Sequence, residues 1–474
     1  MNEKKKRVKH QEFERDRVPD KNLLGFKNFI GMYAGEHCAG TELMIGPLFV
    51  AAGVSAFDIV FGLLLGNLLA VLSWVFITSP IATRARLTMY YHLEQICGSR
   101  LVRIYNLANG VMFCFLAGAM VTVSATTLGI WFNFPMPGLN DMLPNSLGWI
   151  LSALGMGVLI AVVAAYGYRT VAKLANIAAP WMVLVFLAFG LIGLRQFINL
   201  TSVSINNIGD LWALARDHIW TGGDPLPGQV KFTFWHVTFF AWFANLAMHL
   251  GMADLSVLRF AKKTWYGVAS AGGMYVGHFM AWISAAILYA LQLYQNTADT
   301  NVLPGPMAYK AAGWAGLLCV IIAGWTTANP TIYRAGLAFQ SLVPKWSRFR
   351  VTLITGLIAA VAGMFPAIAM KLLDFVALYG MLIMPMGAVI FVDFWLLKRL
   401  QLQPMYAQKT GTSFHWAAFL AWILSLALCV LIMTFLGLQI YFVSLPGWIA
   451  AGLIYLGLSY WIQTQAHARI AHEA

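Results

Sequence analysis

"GMYAGEHCAGTELMIGP", residues 31–47, lies inside an apolar stretch long enough to cross a bilayer, yet it holds glycines, a proline and two acids, Glu36 and Glu42. Ionisable groups inside a membrane span are expensive and usually face a cavity. Glu42 follows Glu36 by six residues, so an unbroken helix would point them to opposite sides. Gly40 between them, with Gly31, Gly35 and Gly46 on either side, predicts an unwound stretch instead. Backbone left unpaired at membrane depth must line a cavity or meet a ligand, so the break predicts a binding site.

The rest of the chain supports this membrane reading. Of its 474 residues, 60% are hydrophobic and 10% charged, against about 25% charged in soluble domains. Runs such as "WAAFLAWILSLALCVLIMTFLGL", 416–438, reach the roughly 20 apolar residues that a 30 Å hydrocarbon core requires. They do not alternate polar and apolar residues as barrel strands do. The expected fold class is an all-α integral membrane protein with twelve transmembrane helices. The spans fall near 26–53, 57–80, 104–132, 148–168, 173–195, 232–255, 266–294, 311–333, 351–371, 374–397, 414–436 and 440–463. The polar N-terminus lacks the apolar core and small-residue site of a cleaved signal peptide.

With the N-terminus inside and the spans alternating, the inside segments hold 26 Lys and Arg, from Lys4 through Arg169 to Arg469. The outside segments hold five: Arg195, Arg216, Lys231, Lys310 and Lys371. Together these are the 31 of the chain. Cytoplasmic loops collect basic residues, so both termini are expected in the cytoplasm, with the chain in a bacterial-type inner (plasma) membrane. The net charge of +13 follows from this asymmetry and suits an anionic leaflet. It gives no reason to invoke nucleic acid. The five cysteines are scattered without metal-ligand spacing and read as small packing residues.

A second unusual helix is "FFAWFANLAMHLGMAD", 239–254, which places Asn245, His249 and Gly251 in apolar surroundings. Inverted-repeat transporters carry interrupted helices at matching positions of their two halves. Spans one and six are the first helices of a five-plus-five repeat. The predicted organisation is a cytoplasmic tail over 1–25 and a ten-helix core over 26–397. Its repeats are 26–195 and 232–397, and two further helices with a cytoplasmic tail occupy 398–474.

A third stretch, "AGWTTANPTIY", 323–333, sets Thr326 and Thr327 side by side ahead of Asn329 and Pro330. A membrane Thr usually bonds back to a carbonyl one turn earlier. Pro330 has no N–H, so the Thr326 carbonyl loses its helical partner. Adjacent hydroxyls with freed carbonyls suit a hard cation such as sodium, and the Ala323 carbonyl lies on the same face. Glu42 would bind an N–H-rich ligand or exchange a proton. Glu36, His37 and His249 are the other candidates for proton coupling. A lone membrane His, His249 or His278, also serves as an ordinary helix-to-helix hydrogen bond. Trp242, Phe243, Phe113 and Phe115 are placed to stack on a flat ring or simply to pack.

Several stretches resemble the nucleobase:cation symporter family, of the purine–cytosine permease and hydantoin carrier type. "GVSAFDIVFGLLLGNLLAVL", 53–72, is similar to its second span. "MADLSVLRFAKK", 252–263, resembles its Asp-x-x-x-Arg-Phe stretch, with one extra residue between Asp254 and Arg259. "GWTTANPTIYRAGLAFQSL", 324–342, resembles span eight, and "MPMGAVIFVDFWLLKR", 384–399, the end of span ten. The resemblance implies the inverted-repeat amino-acid-transporter fold, with ten core helices plus two C-terminal ones. It implies cation-coupled uptake of a nucleobase or related small nitrogen-rich heterocycle. It also implies a sodium ion held by Thr326, Thr327 and the Ala323 carbonyl, completed by carbonyls from about Ala39 to Leu43 in span one. Substrate contacts are expected from Glu42, Phe113, Trp242, Asn245 and Asn329. Span three, "NGVMFCFLAGAMVTVS", lacks the Trp and Gln that the family often carries there. Trp242 lies a turn before the expected Trp position, and Glu42 stands where an amide is usual.

The expected function is a secondary active transporter, working with sodium or a proton as coupling ion and without a cofactor. The alternatives are an amino-acid or amine permease of the same fold, or a non-transporting receptor. An intramembrane enzyme would need a nucleophile–base or metal set within mutual reach. "GEHCAG" lacks the second His of a zinc motif. Oligomeric state is left open.

Overall fold

In the computed structural model, which describes residues 12–138 and 141–473, the chain is helical, and no β-strand occurs among the described residues. The first eleven residues of the expected cytoplasmic tail, Lys4 among them, lie outside the described residues. The helices that position the site are α1 (Lys27–His37), α2 (Glu42–Ala51), α3 (Ala56–Ala85), α4 (Met89–Cys97), α5 (Ser99–Phe132), α6 (Leu147–Ala165) and α7 (Tyr168–Thr201). They continue as α8 (Phe234–Phe243), α9 (Leu246–His249), α10 (Thr264–Gln295), α11 (Pro304–Leu342), α12 (Arg348–Ala362), α13 (Leu372–Val392), α14 (Trp416–Leu436) and α15 (Ile440–Glu473). Among the described residues nine helical stretches are long and apolar enough to cross a membrane. The three other expected spans contain shorter helices. Near 26–53 lie α1 and α2, near 232–255 lie α8 and α9, and near 351–371 lies the 15-residue α12.

Both interruptions follow from local sequence. α1 closes its last helical bond at Cys38, whose N–H donates to Ala34 O at 3.0 Å, and residues 38–41 are non-helical. Glu42 opens α2, where the positive end of the helix dipole favours a carboxylate. Sequence reasoning had the unwound stretch reach Leu43. It ends earlier, because the Glu42 and Leu43 amides bond to the Ala39 and Gly40 carbonyls and start the new helix at once. In the second interruption Asn245 sits at φ −112°, ψ 28°, between α8 and α9. α11 is also divided: Ala312 and Gly313 are non-helical, with Gly313 at φ 56°, a left-handed conformation that glycine adopts freely. The helix past that kink begins where the expected span eight does. It runs on to Leu342, so Arg334 belongs to a buried helix and not to a loop.

α11 lies along α5, α12 against α6, α3 against α8, and α2 against α10, while α1 packs on α7 and α9 on α13. α14 and α15 pack on each other and on α13. Residues 12–24 fold across one end of the bundle. Val18 N–H donates to Arg86 O (3.1 Å) and Leu24 N–H to Phe260 O (2.7 Å). The loop over 221–232 covers the opposite end, where Leu226 and Phe232 donate to Ala51 and Ala52 carbonyls.

Candidate functional site

Two arrangements meet at the break between α1 and α2. The first is a cluster of oxygens. The hydroxyl of Thr326 lies 2.9 Å from Gly35 O and 3.1 Å from Ala323 O; that of Thr327 lies 3.0 Å from Glu36 O and 2.9 Å from Ala323 O. α1 ends just beyond Gly35 and Glu36, so their carbonyls emerge unpaired from its last turn. Three carbonyls thus face two hydroxyls that have only two protons to donate, and both threonines are almost fully buried. An all-oxygen donor set suits a hard cation rather than zinc or copper. No group of three His, Cys, Asp or Glu arranged for a metal occurs among the described residues. The hydroxyls meet the final turn of α1, one turn before the expected Ala39 to Leu43 carbonyls. Ala39 O instead accepts from Glu42 N–H at 3.0 Å within the turn.

The second is a cavity of about 970 Å³, its open mouth included. Glu36, His37, Glu42, Asn245 and Thr327 line it, as do His278, Trp282, Thr331 and Tyr379. The Trp282 indole N–H donates to Glu42. The His278 ring stacks on Trp282 at 4.1 Å, and His37 meets His278 edge-on at 4.7 Å. His37 Nδ1 lies 2.7 Å from Tyr33 O, and Asn245 Nδ2 lies 3.5 Å from His278 Nε2. His37 Nε2 and His278 Nδ1 are buried without a protein partner. Thr327 and Glu36 belong to both arrangements, so the oxygen cluster shares a wall with the cavity.

Other expected site residues lie elsewhere. Phe113 is fully buried behind Tyr379, their rings 4.7 Å apart. Trp242 stacks on Phe243 and donates its indole N–H to Ser73 Oγ at 3.1 Å. His249 is turned to the Trp242 carbonyl (2.9 Å) and the Trp74 ring (4.8 Å). Asn329 is buried with neither side-chain polar atom bonded. None of the four lines the cavity. The break at Asn245 sets their direction: Trp242 precedes it and His249 follows it, so both face α3. Of the residues that sequence reasoning did not assign to the site, His278 is a polar group in an apolar span. Trp282 gives no such signal, because 18 tryptophans leave it undistinguished.

Behind Glu36 stands an ion network that sequence reasoning missed. Arg334 bonds Glu36 at 2.5 and 3.3 Å and Asp254 at 2.7 Å. Asp254 also accepts from Tyr33 and Trp74, each at 2.7 Å. Nearby, Arg259 donates to Phe13 O (2.7 Å), and Tyr333 donates to Glu12 (2.9 Å). Outside the spans, burial raises the carboxyl of Glu12 above its ordinary range, against the opposing pull of Arg348 and Arg259. Residues 12–24 thereby close the end of the bundle beneath the network.

Neither a family model nor a curated protein matches the sequence. Solved structures do. Mhp1, a nucleobase-cation-symport-1 family transporter with bromovinylhydantoin bound in a closed conformation, superposes with TM-score 0.70 and 15% identity, over 95% of this chain and 96% of that one. The chain has the Mhp1 fold. The inward-facing conformation of Mhp1 matches with TM-score 0.66 and 14% identity, over 95% and 93% of the two chains. A Na⁺-coupled sialic acid symporter in its substrate-bound outward-open state gives TM-score 0.66 and 14% identity, over 96% and 93%. These neighbours are membrane transporters, not enzymes. At such identities the likeness is one of fold.

Proposed function

We propose that this protein is a sodium-coupled secondary transporter that imports a nucleobase or related small nitrogen-rich heterocycle, as a divergent member of the nucleobase:cation symporter family. The observation that carries this reading is the five-oxygen cluster of Ala323, Thr326, Thr327, Gly35 and Glu36, sharing a wall with a cavity at the break in the first span. A cation there ties α11 to the end of α1 and fixes Glu36 and His37, which line the substrate cavity. Sodium then raises substrate affinity by stabilising the arrangement that binds it.

The twelve-span, five-plus-five reading is supported by the packing. Shifting each span number by five, with ten returning to five, maps the α1·α7 contact onto α9·α13 and α3·α8 onto α10·α2. The α5·α11 and α6·α12 pairs map onto themselves. The expected orientation places both termini in the cytoplasm and the cavity-lining Phe240 and Tyr441 toward the outside.

Proton coupling is the second reading, favoured by Glu42 and His37 lining the cavity. Binding of hydantoins and nucleobases, titrated against Na⁺ at several pH values, separates the two. Sodium coupling predicts affinity that rises with Na⁺ at fixed pH. Binding that ignores Na⁺ and follows pH would overturn it.

A further inference from the structure

Glu36 and Glu42 are the charged side chains lining the cavity among the described residues, and no Lys or Arg lines it. Glu36 is paired with Arg334, which it shares with Asp254. Glu42 has no basic partner. It is 3% exposed and accepts a hydrogen bond from the neutral indole of Trp282. An ionised carboxylate in such surroundings is costly unless a cation pairs with it. The protein brings no such cation, so the charge is met either by a proton on Glu42 or by a cationic ligand.

The neighbouring groups describe that ligand further. His278 and Trp282 form a stacked aromatic wall beside Glu42, and aromatic faces attract cations. His37 Nε2 and His278 Nδ1 are buried lining nitrogens with no protein partner. A neutral imidazole accepts through one nitrogen. A flat group carrying several N–H donors in one plane satisfies a carboxylate and an imidazole together.

Resting on the transport reading above, we propose that the substrate is a monocation, a flat amidinium or protonated amino-heterocycle, with Glu42 as its counter-ion and Trp282 and His278 as the wall that selects for flatness.

Benzamidine and benzamide test this, because they share shape and differ in charge. Each is titrated calorimetrically into the full-length protein in detergent at saturating Na⁺. Charge-assisted hydrogen bonds are roughly twice as strong as neutral ones, so benzamidine should bind about tenfold more tightly or better. Glu42→Gln should reduce that ratio to near one. Trp282→Phe keeps the carboxylate and should retain the preference. Equal or tighter binding of benzamide by the unaltered protein overturns the proposal, whether or not the Gln variant folds. A preference that survives in Glu42→Gln overturns it too. If uracil or hydantoin binds with Na⁺ dependence while benzamidine does not, the transport reading stands and the cationic substrate falls. If benzamidine wins but ignores Na⁺, the cationic substrate stands and sodium coupling falls. If none of the four probes binds, both fall.

Discussion

At the scale of single residues, the two threonines of α11 have different reach. Thr326 also contacts Met182 Sδ (3.6 Å), while Thr327 lines the cavity and holds the Glu36 carbonyl. Thr327→Val preserves shape and deletes one oxygen. A hydrogen bond to a charged group is worth roughly 1.5–3 kcal/mol, so apparent Na⁺ affinity should fall about tenfold or more. Substrate affinity at saturating Na⁺ should change much less. Equal Na⁺ dependence in both proteins would place the cation elsewhere. Arg334 answers to stability instead. Arg334→Met strands Glu36 and Asp254 in the interior, and breaking a buried pair in this way costs about 3–5 kcal/mol. The variant should show a clearly lowered melting temperature in detergent. An unchanged melting temperature would mean that the two acids take up protons without loss. Thr326, Thr327, Glu42 and Glu36 were legible in the sequence as polar groups out of place in apolar spans. Asp254 and Arg334 were each visible too, but nothing in one dimension pairs residues 80 positions apart.

At the scale of elements, the site depends on how closely α10 approaches the break. A β-carbon on Gly277 would stand 2.7 Å from the His37 carbonyl oxygen and 2.5 Å from its Cβ, so any larger side chain there pushes α10 away. Gly277→Ala should destabilise the protein by about 1–3 kcal/mol, the usual range for overpacking. It should also weaken substrate binding more than Na⁺ binding, because Gly277 faces His37 and not the threonines. Equal loss of both would mean that the whole α1–α11 contact had shifted. The two broken helices could be anticipated because glycines and polar residues interrupt an apolar pattern. The exact carbonyls that α11 meets could not. Whether the unwound stretch stops at Thr41 or reaches Leu43 is decided by which backbone amides find partners across the turn.

At the scale of the molecule, the charge asymmetry argues for one orientation. A cysteine introduced within 221–229, in the loop that covers the end opposite residues 12–24, should be labelled by an impermeant reagent in intact cells. One in the N-terminal tail should not. Labelling of the tail would refute the orientation. The expected outer loop over 133–146 offers a second site, although residues 139 and 140 lie outside the described residues. By itself the sequence determined the solvent of the fold, the approximate position of most spans, the two interruptions and the threonine pair. All of these are written in composition and local spacing, because the bilayer imposes length and apolarity on each span separately. Only the tertiary structure decided that Glu42 faces Trp282 and His278, that Phe113, Trp242, Asn329 and His249 turn away from the cavity, and that Arg334 closes the network behind Glu36. Between packed helices of similar apolarity, side-chain direction depends on crossing geometry and on which buried polar groups find partners, and those partners come from distant parts of the chain.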